Sequence, residues 1–315
     1  MDFVSLLADD DDEPVLRRKF CKANALCRDC RSSQIPNEIM FNSNILLSRL
    51  HSLTLETLGA ERIAEEARNV NLVLTDEEVN EIENLTRKQA KCELWGWVRI
   101  GRITASIFLE CIHARTDSVP AKMSLLKKIC HPDFSEINSA AVRYGKANET
   151  KASLVVQKLL EGHQNVRFDE CGIFVDKTRP YLAATPDLIM RCDCCGTVCI
   201  EIKCPFRLAK KSQLNKDLKI IDLDFIDGND GTLKEQHKYF WQVMAQIHIT
   251  GSNYGLFFVW SEGEHTLIKI DKDDRRWSEA CDKANLYFTN IILPIASGKF
   301  LLEPLAFLIT PFLFS

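Results

Sequence analysis

The alternation of apolar and polar residues predicts a β-hairpin over residues 181–206, "YLAATPDLIMRCDCCGTVCIEIKCPF". In its second arm, Ile200 and Ile202 alternate with Glu201 and Lys203. Successive side chains of a strand point to opposite faces, so the isoleucines should enter a core while the carboxylate and the amine share the other face. "YGLFFVW" and "EHTLIKI" predict a second hairpin, joined by a Ser-Glu-Gly-Glu turn.

Capping signals predict where several helices begin and end. Thr75 followed by Glu78 is a capping-box sequence, which should open a helix that continues towards Trp95. Thr104 is an N-cap candidate for the short helix "TASIFLECIHAR". Gly251 is a C-cap candidate for the helix "LKEQHKYFWQVMAQIHITG".

Two further stretches, residues 137–161 and 274–299, predict long helices. The order along the chain is then helices, a hairpin, a helix, a hairpin and a helix. The sequence therefore predicts an α/β fold in which a mixed central sheet is flanked by helices.

Composition excludes several classes of protein, but it does not indicate which reaction the protein carries out. The 315 residues carry a net charge of −4, with 46% hydrophobic and 27% charged residues, so a generic polyanion binder is excluded. Thirteen cysteines without a secretory signal predict reduced thiols in an intracellular protein of the nucleus or cytoplasm, not a secreted one. The apolar C-terminal residues are too short and too proline-broken to span a bilayer, so we expect no membrane partner.

Two carboxylates fall where the arms of the first hairpin can bring them together. Asp187 directly follows Pro186 at the start of one arm, and pairing of the arms can place it beside Glu201. Such a pair is a hard-oxygen site for a divalent cation, with Mg²⁺ favoured. Lys203 beside them could orient or deprotonate a water, or stabilise charge on a phosphate. The alternative is a solvated strand face with a surface ion pair.

A third acid, Glu149, lies in the helix before this hairpin. It shares the spacing of one helical face with Gly145, Ala152, Val156 and Leu159, so it should point towards the sheet. A carboxylate that faces a core is costly unless it is paired or binds a metal. The alternative is that Glu149 lies at the edge of this stripe and reaches solvent.

The helix that ends at Gly251 divides into two faces. Its packing face holds three apolar residues, Phe240, Val243 and Ile247. Its second face carries polar and aromatic residues, Glu235, Tyr239, Gln242 and Gln246. Amides on such a face can contact phosphates or base edges, and a plain solvated face is the alternative.

The cysteines raise the question of a second metal. Four of them crowd the first hairpin, Cys192, Cys194, Cys195 and Cys199. A zinc site usually requires two Cys-x-x-Cys pairs, and this hairpin does not supply two, so we do not expect these thiols to form a required metal site. In the N-terminal part of the chain, Cys27 and Cys30 have that spacing, and with Cys21 they would need a fourth ligand such as His51 to bind zinc.

Four ordered motifs make the pattern specific: "WVRIGRITAS", "YGKANE", "TPD" with "EIKCPF", and "YFWQVMAQIHITG". Together they resemble the YqaJ-like viral recombinase family, which is related to phage lambda exonuclease and to the PD-(D/E)XK nucleases. The resemblance covers residues 75–300, which leaves residues 1–74 as a cysteine-containing extension and residues 301–315 as an apolar tail. It implies a restriction-endonuclease-like fold and digestion of double-stranded DNA from the 5′ end that depends on Mg²⁺, with Mn²⁺ as a substitute.

The resemblance also implies roles for the acidic cluster. Asp187 and Glu201 match the metal-binding acids, and the backbone carbonyl of Ile202 would be a further ligand. Lys203 matches the catalytic lysine. Glu149 matches a helical acid that helps to hold the metal or to position water.

DNA contacts are implied at four positions. Arg99 matches an arginine that binds the 5′-phosphate, Ser106 could donate to the same phosphate, and Gln242 lies near the active site beside Tyr239. The family often has Gln-Val-Gln where this chain has Gln242-Val-Met244, which puts one amide contact in doubt.

Several alternatives stay open at this point. Arg99 could instead pair with an acid such as Glu93 and steady its turn. The whole chain could be a domesticated DNA-binding module with little or no cleavage activity. The resemblance implies double-stranded DNA ends as the partner, a homo-oligomer as in the phage relatives, and a place in recombination, repair or a mobile element.

Overall fold

A computed structural model of the chain describes residues 73–114, 124–126, 128–129, 139–209 and 218–293. Most of the N-terminal extension and the apolar tail lie outside these ranges. The predicted domain boundaries and the N-terminal zinc site therefore stay predictions. Within the described ranges, no helix is long and apolar enough to cross a membrane.

The main α-helices are, in chain order, α1 (Asp76–Leu85), α2 (Glu93–Arg99), α3 (Phe108–Ile112), α4 (Ala140–Leu160), α5 (Phe206–Ala209), α6 (Lys238–Thr250) and α7 (Asp274–Tyr287). The strands are β1 (Ile103–Thr104), β2 (Arg167–Asp169), β3 (Phe174–Val175), β4 (Leu182–Ala184), β5 (Leu188–Cys192), β6 (Gly196–Lys203), β7 (Tyr254–Ser261) and β8 (Glu264–Asp271). A π-helical turn, Phe288–Ile292, continues α7.

The strands form two mixed sheets. The larger has the order β2-β5-β6-β7-β8, in which β6 and β7 run parallel and the other neighbours run antiparallel. In the smaller sheet β4 lies between β1 and β3. Both predicted hairpins are confirmed, as β5–β6 and β7–β8. Helices cover both faces of the larger sheet, so the predicted α/β arrangement, a mixed central sheet flanked by helices, is confirmed.

Alternation along β6 divides the core into two clusters. Ile200 and Ile202 pack on one face against Ala152 and Val156 of α4, as the pattern predicted. Cys199 lies on the opposite face, in a cluster built with α6 and α7. Because β6 has a parallel neighbour and helices on both sides, both of its faces are buried.

Helix α6 is the crossover element between the parallel strands β6 and β7. Its predicted packing face is confirmed, since Phe240, Val243 and Ile247 are buried. A Cβ on Gly255 of β7 would lie 2.4 Å from Val243 Cγ1, so the glycine allows the helix to approach the sheet closely. Gly251 ends the helix with a φ of 69°, as predicted.

The first predicted helix is shorter than expected. Its capping box is confirmed by reciprocal hydrogen bonds between Thr75 and Glu78. The helix ends at Leu85 and does not continue towards Trp95. The reason lies at Thr86, whose hydroxyl donates back to the last helical turn and accepts a backbone N–H from the segment entering β3.

The start of the next predicted helix also differs from the sequence interpretation. The Thr104 side chain makes no capping bond, and a 3₁₀ turn, Ala105–Ile107, precedes the five residues of α3. Instead, the Thr104 hydroxyl lies 3.2 Å from the Ser106 hydroxyl. A capped α-helix starting at Thr104 was therefore the wrong prediction.

One residue predicted to lie on the polar face of α6, Glu235, is not part of the helix. The helix begins only at Lys238, where His237 Nδ1 accepts the Tyr239 N–H. Glu235 precedes the helix, and its carboxylate pairs with Arg276 at 2.8 Å. Placing Glu235 on the same face as the glutamines was wrong, because the chain is not helical there.

Candidate active site

The open end of the β5–β6 hairpin brings the two predicted acids together. Pairing of the arms places Leu188 opposite Ile200, so Asp187 falls just beyond the last paired residue. The Asp187 N–H donates to the Ile200 carbonyl at 3.1 Å, and Asp187 Oδ2 accepts the Ile202 N–H at 2.6 Å. The aspartate is thereby fixed across the strand that carries Glu201.

Glu201 is held by three donors in a nearly closed environment, with a relative exposure of 2%. Gln242 Nε2 donates to Oε1 and Gln246 Nε2 to Oε2, both at 2.6 Å. The Lys203 ammonium also donates to Oε1. The alternative of a solvated strand face is therefore wrong, because α6 covers this face and turns its amides towards Glu201.

Gln246 belongs to this site although it was not among the predicted site residues. Its side chain is fully buried, and its Oε1 has no hydrogen-bond donor among the described residues. Turning the amide over would bring Oε1 against the Glu201 carboxylate, so the orientation is chemically fixed. Met244, where the family often has glutamine, is buried in the core, and the second amide contact to Glu201 comes from Gln246 instead.

Burial and mutual charge shift the titration of this cluster. Desolvation raises the pKa of Asp187 well above its usual range, and the charge of Glu201 adds to the rise. Burial acts to lower the pKa of Lys203, but the negative charges of Glu201 and Asp187 outweigh it and raise that pKa. The cluster thus contains two neighbouring carboxyl groups whose combined negative charge one lysine does not balance, and it keeps that lysine protonated.

Glu149 does not point into the core as predicted. Its side chain is exposed on α4, as the edge-of-stripe alternative foresaw, and Leu159 of the same stripe is also exposed. Ala152 and Val156 do face the sheet. Glu149 still interacts electrostatically with Lys203 and Glu201, and partial desolvation raises its pKa. The structure therefore places it at the rim of the acidic cluster.

A cavity of about 160 Å³ adjoins the acids and contains several predicted DNA contacts. Arg99, Ser106, Asp187 and Gln242 all line it. The Arg99 guanidinium stacks over the Trp95 ring, 4.1 Å from the ring centroid. Residues from α2, the 3₁₀ turn, the Asp187 segment and α6 thus converge on one space, although they are up to 143 positions apart in the chain.

Arg99 is a cation without a carboxylate partner among the described side chains. Desolvation lowers its pKa to about 10, which still leaves it charged at neutral pH. The proposed alternative partner, Glu93, has a side chain outside the described set. A desolvated guanidinium facing a cavity, with the Ser106 hydroxyl on the same wall, is suited to bind an anion.

Gln89, Trp95 and Thr185 also line the cavity, and the sequence interpretation did not place them there. Gln89 Nε2 donates to the Cys171 carbonyl at 2.9 Å, and Trp95 Nε1 donates to Thr185 Oγ1 at 3.3 Å. The Trp95 bond, together with a bond from Gln89 Nε2 to the Pro186 carbonyl at 3.4 Å, ties the segment that carries Arg99 to the segment that carries Asp187. No local sequence pattern predicts these hydrogen bonds, because each joins positions more than eighty residues apart.

Tyr239 lies near the lysine and not in the cavity wall. The Lys203 ammonium is 5.3 Å from the centroid of the Tyr239 ring, which is within the range of a cation–π interaction. Tyr239 is partly buried and also packs on Phe225 and Phe257. Its contact with DNA stays a prediction, and its observed contacts orient Lys203.

Solved structures similar to this chain include three viral or bacterial exonucleases. The alkaline exonuclease LHK-Exo from Laribacter hongkongensis is 20% identical, with a TM-score of 0.43, covering 63% of this chain and 92% of that chain. The shutoff and exonuclease protein from Kaposi's sarcoma-associated herpesvirus is 12% identical, with a TM-score of 0.45, covering 89% and 91%. A phage-related exonuclease from Haemophilus somnus 129PT is 11% identical, with a TM-score of 0.37, covering 62% and 93%.

Sequence comparison identifies the family. Among curated proteins, none matches this chain. The family described as the YqaJ-like viral recombinase domain matches residues 94–253, just over half of the 315 residues. The matched range contains Arg99, Glu149, the Asp187–Glu201–Lys203 cluster and the glutamines of α6. The chain therefore belongs to the YqaJ-like viral recombinase family.

Proposed function

We propose that the chain is a metal-dependent exonuclease that hydrolyses double-stranded DNA from the 5′ end, in recombination or repair or as part of a mobile element. The observation that carries the proposal is the juxtaposition of the Asp187–Glu201–Lys203 cluster with a cavity lined by the Arg99 guanidinium, which has no carboxylate partner among the described side chains. Acids and an ammonium can act on one phosphodiester while a guanidinium holds another phosphate nearby.

A divalent cation fits the donor set of this cluster. Asp187 and Glu201 would hold the cation with their carboxylates, and the Ile202 carbonyl and Glu149 would be further oxygen ligands. Among the described residues, Lys203 is the one ammonium paired with Glu201, and the Gln246 Oε1 nearby has no hydrogen-bond donor. Both features favour a cation with bound water. When bound, Mg²⁺, or Mn²⁺ in its place, would polarise the phosphate and lower the pKa of a water.

The side chains around the cation would each have a separate role in the reaction. The amides of Gln242 and Gln246 hold the Glu201 carboxylate in one orientation, so its geometry does not depend on solvent. Lys203, already an ammonium in contact with an acid, stabilises the negative charge that develops on the reacting phosphate. Glu149, at the exposed rim, positions water on the open side of the cluster.

The cavity beside the acids would bind the 5′ end of the DNA. Arg99 supplies a planar fork of donors that matches phosphate oxygens, and Ser106 adds a hydroxyl on the same wall. A terminal phosphate carries more charge than an internal phosphodiester, so the guanidinium favours a 5′-phosphorylated end. Because α3 has only five residues and follows a 3₁₀ turn, this preference rests on side chains and not on a helix terminus.

The test follows digestion of linear duplexes labelled at the 5′ or the 3′ end, with Mg²⁺ and with EDTA. The wild-type chain should release the 5′ label first, need the cation, and prefer a 5′-phosphorylated over a 5′-hydroxylated end. Arg99→Ala should lose that preference, by about 10–100-fold, while slow cleavage remains. The matched control is Arg207→Ala, which removes an exposed arginine whose pairing in the described part of the chain is with Asp224.

Two results would overturn the proposal in different ways. DNA binding without cleavage in any divalent cation would make the chain a DNA-binding module on this fold. Efficient cleavage of closed circular DNA, or no preference between the two kinds of end, would remove the end-anchored mechanism while leaving a nuclease.

A further inference from the structure

The turn of the β5–β6 hairpin gathers a second set of metal-ligating atoms, far from the acids. The set consists of the side chains of Cys192, Cys194, Cys195 and His163, which we call the Cys₃His cluster. One ligand atom from each lies within 4.8 Å of all the others. His163 follows α4, about thirty positions before the cysteines. The expectation that the hairpin thiols form no required metal site was based on the cysteines alone and did not include this ligand.

The distances within the Cys₃His cluster are those of ligands around one small ion. His163 Nδ1 lies 3.2 Å from Cys194 Sγ, 3.4 Å from Cys195 Sγ and 3.7 Å from Cys192 Sγ. Cys194 Sγ lies 3.5 Å from Cys192 Sγ and 3.7 Å from Cys195 Sγ. Tetrahedral zinc, with its usual bond lengths, separates two sulfurs by about 3.8 Å and a sulfur from a nitrogen by about 3.6 Å.

We propose that the Cys₃His cluster is a structural zinc site. Three thiolates and an imidazole complete a tetrahedron, which leaves no open position for a reacting water. An iron–sulfur cluster fits less well, because it interposes several irons and sulfides between its thiolates and so needs ligands farther apart. A disulfide would leave its two sulfurs about 2 Å apart, whereas all three cysteines are free thiols at larger separations.

The surroundings of the cluster are built to hold these ligands in place. The Asp193 N–H donates to the Gln164 carbonyl at 2.9 Å, and Asn165 Nδ2 donates to Asp193 Oδ2 at 2.6 Å. Asn253 Nδ2 donates to the Cys195 carbonyl at 2.7 Å. Asn165 adopts a φ of 52°, an uncommon conformation for a residue other than glycine. The segment after α4 is thus fastened to the hairpin turn on both sides of the sulfurs.

The position of the site suggests what the zinc does. His163 extends from α4, which carries Glu149, and the cysteines end the hairpin that carries Asp187 and Glu201. One ion would therefore join the two elements that present the three acids. The fourth hairpin cysteine, Cys199, cannot take part, because it is buried on the opposite core face.

The experiment measures zinc in the full-length chain purified under reducing conditions. Cys194→Ser and His163→Ala should each lose one molar equivalent relative to wild type, and His163→Cys should retain it. Cys92→Ser, which alters a partly buried thiol outside the cluster, is the matched control and should keep all the zinc. Cys27→Ser separates any contribution from the N-terminal cysteines, since it should leave the hairpin equivalent in place.

A second measurement on the wild-type chain does not depend on how the variants fold. Peptide mass spectrometry after alkylation should find Cys192, Cys194 and Cys195 protected until a strong zinc chelator is added. Replacement of zinc by Co²⁺ should give the intense absorption of tetrahedral thiolate coordination. Unprotected thiols, a disulfide among them, iron in place of zinc, or variants that keep the wild-type zinc content would each overturn the proposal.

Discussion

The β5–β6 hairpin carries chemistry at both of its ends, and the ends differ in almost every physical respect. At the open end, Glu201 is nearly inaccessible and bonded to two amides and an ammonium. At the turn, Cys194 is exposed and its neighbours are sulfurs and an imidazole. Five strand residues, or about 17 Å, separate Gly196 at the turn from Glu201 at the open end.

The difference shows how one hairpin can carry a reacting centre at one end and a structural cross-link at the other. Carboxylate oxygens bind hard cations that keep water and exchange, which suits a reacting centre. Thiolates and imidazole hold zinc in a closed tetrahedron, which suits a permanent cross-link. The predictions below are ordered by their expected effect on cleavage rate, from the open end to the turn.

Asp187→Asn should reduce cleavage by more than the roughly 10²–10³-fold that is typical for loss of a single hydrogen-bond donor. The substitution keeps the shape and an oxygen for the Ile202 N–H, but it removes one of the two carboxylate charges that would attract the cation. Single-turnover rates on a 5′-phosphorylated duplex measure the effect, with DNA binding measured in parallel. Wild-type cleavage by this variant would refute the metal-site assignment.

Lys203→Ala should slow cleavage by about 10²–10³-fold with a nearly unchanged dependence on Mg²⁺ concentration, because it removes an electrostatic contact and not a ligand. The control is Lys177→Ala, which removes a surface lysine paired with Asp76. Rates over a Mg²⁺ titration distinguish the two roles. A normal maximal rate reached only at a shifted Mg²⁺ concentration would show that Lys203 tunes the cation and does not assist the phosphate.

The sequence carries enough information to predict the open end but not the turn. Asp187, Glu201 and Lys203 lie in one hairpin, so strand alternation and the Glu-x-Lys spacing suffice to bring them together. The parallel pairing of β6 with β7 was not predicted, and it is what places Gln246 over Glu201.

His163 and Gln89 share a different difficulty. Their partners lie about thirty and eighty positions away, and neither contact produces a periodic pattern. The inward orientation predicted for Glu149 was wrong for a geometric reason, because a stripe of residues at helical spacing has edges and its outer members reach solvent. Its role at the site stays a prediction. Local chemistry was therefore predictable, whereas contacts made by tertiary packing were not.

Gln246→Leu should slow cleavage by about tenfold, less than either change above. It leaves Glu201 in place but removes the donor to Oε2, so the carboxylate loses its fixed orientation. Loss of a hydrogen bond to a buried charge costs about 1.5–3 kcal/mol, so the melting temperature should also fall. The control is Gln157→Leu on α4, whose amide donates to Ser153 at 3.0 Å and lies outside the acidic cluster. Equal effects from both glutamines would refute a positioning role.

His163→Ala should have the smallest effect on cleavage, within about twofold of wild type at a temperature where the chain stays folded. The imidazole is a ligand at the turn, and the acids are held at the other end of the strands by their own hydrogen bonds. The stability of the fold should decrease instead. Loss of the zinc cross-link removes binding energy that exists only in the folded state, and about 2 kcal/mol corresponds to a fall in melting temperature of roughly 4–8 °C.

Three measurements make this last prediction decisive. The wild-type chain stripped by a strong zinc chelator should melt at the temperature of His163→Ala, and the chelator should not lower the melting temperature of the variant further. His163→Cys, which keeps four soft ligands, should melt near wild type. If His163→Ala instead abolishes cleavage in folded protein, the two ends of the hairpin are coupled, and the zinc site must set the distance between α4 and the strands that carry the acids.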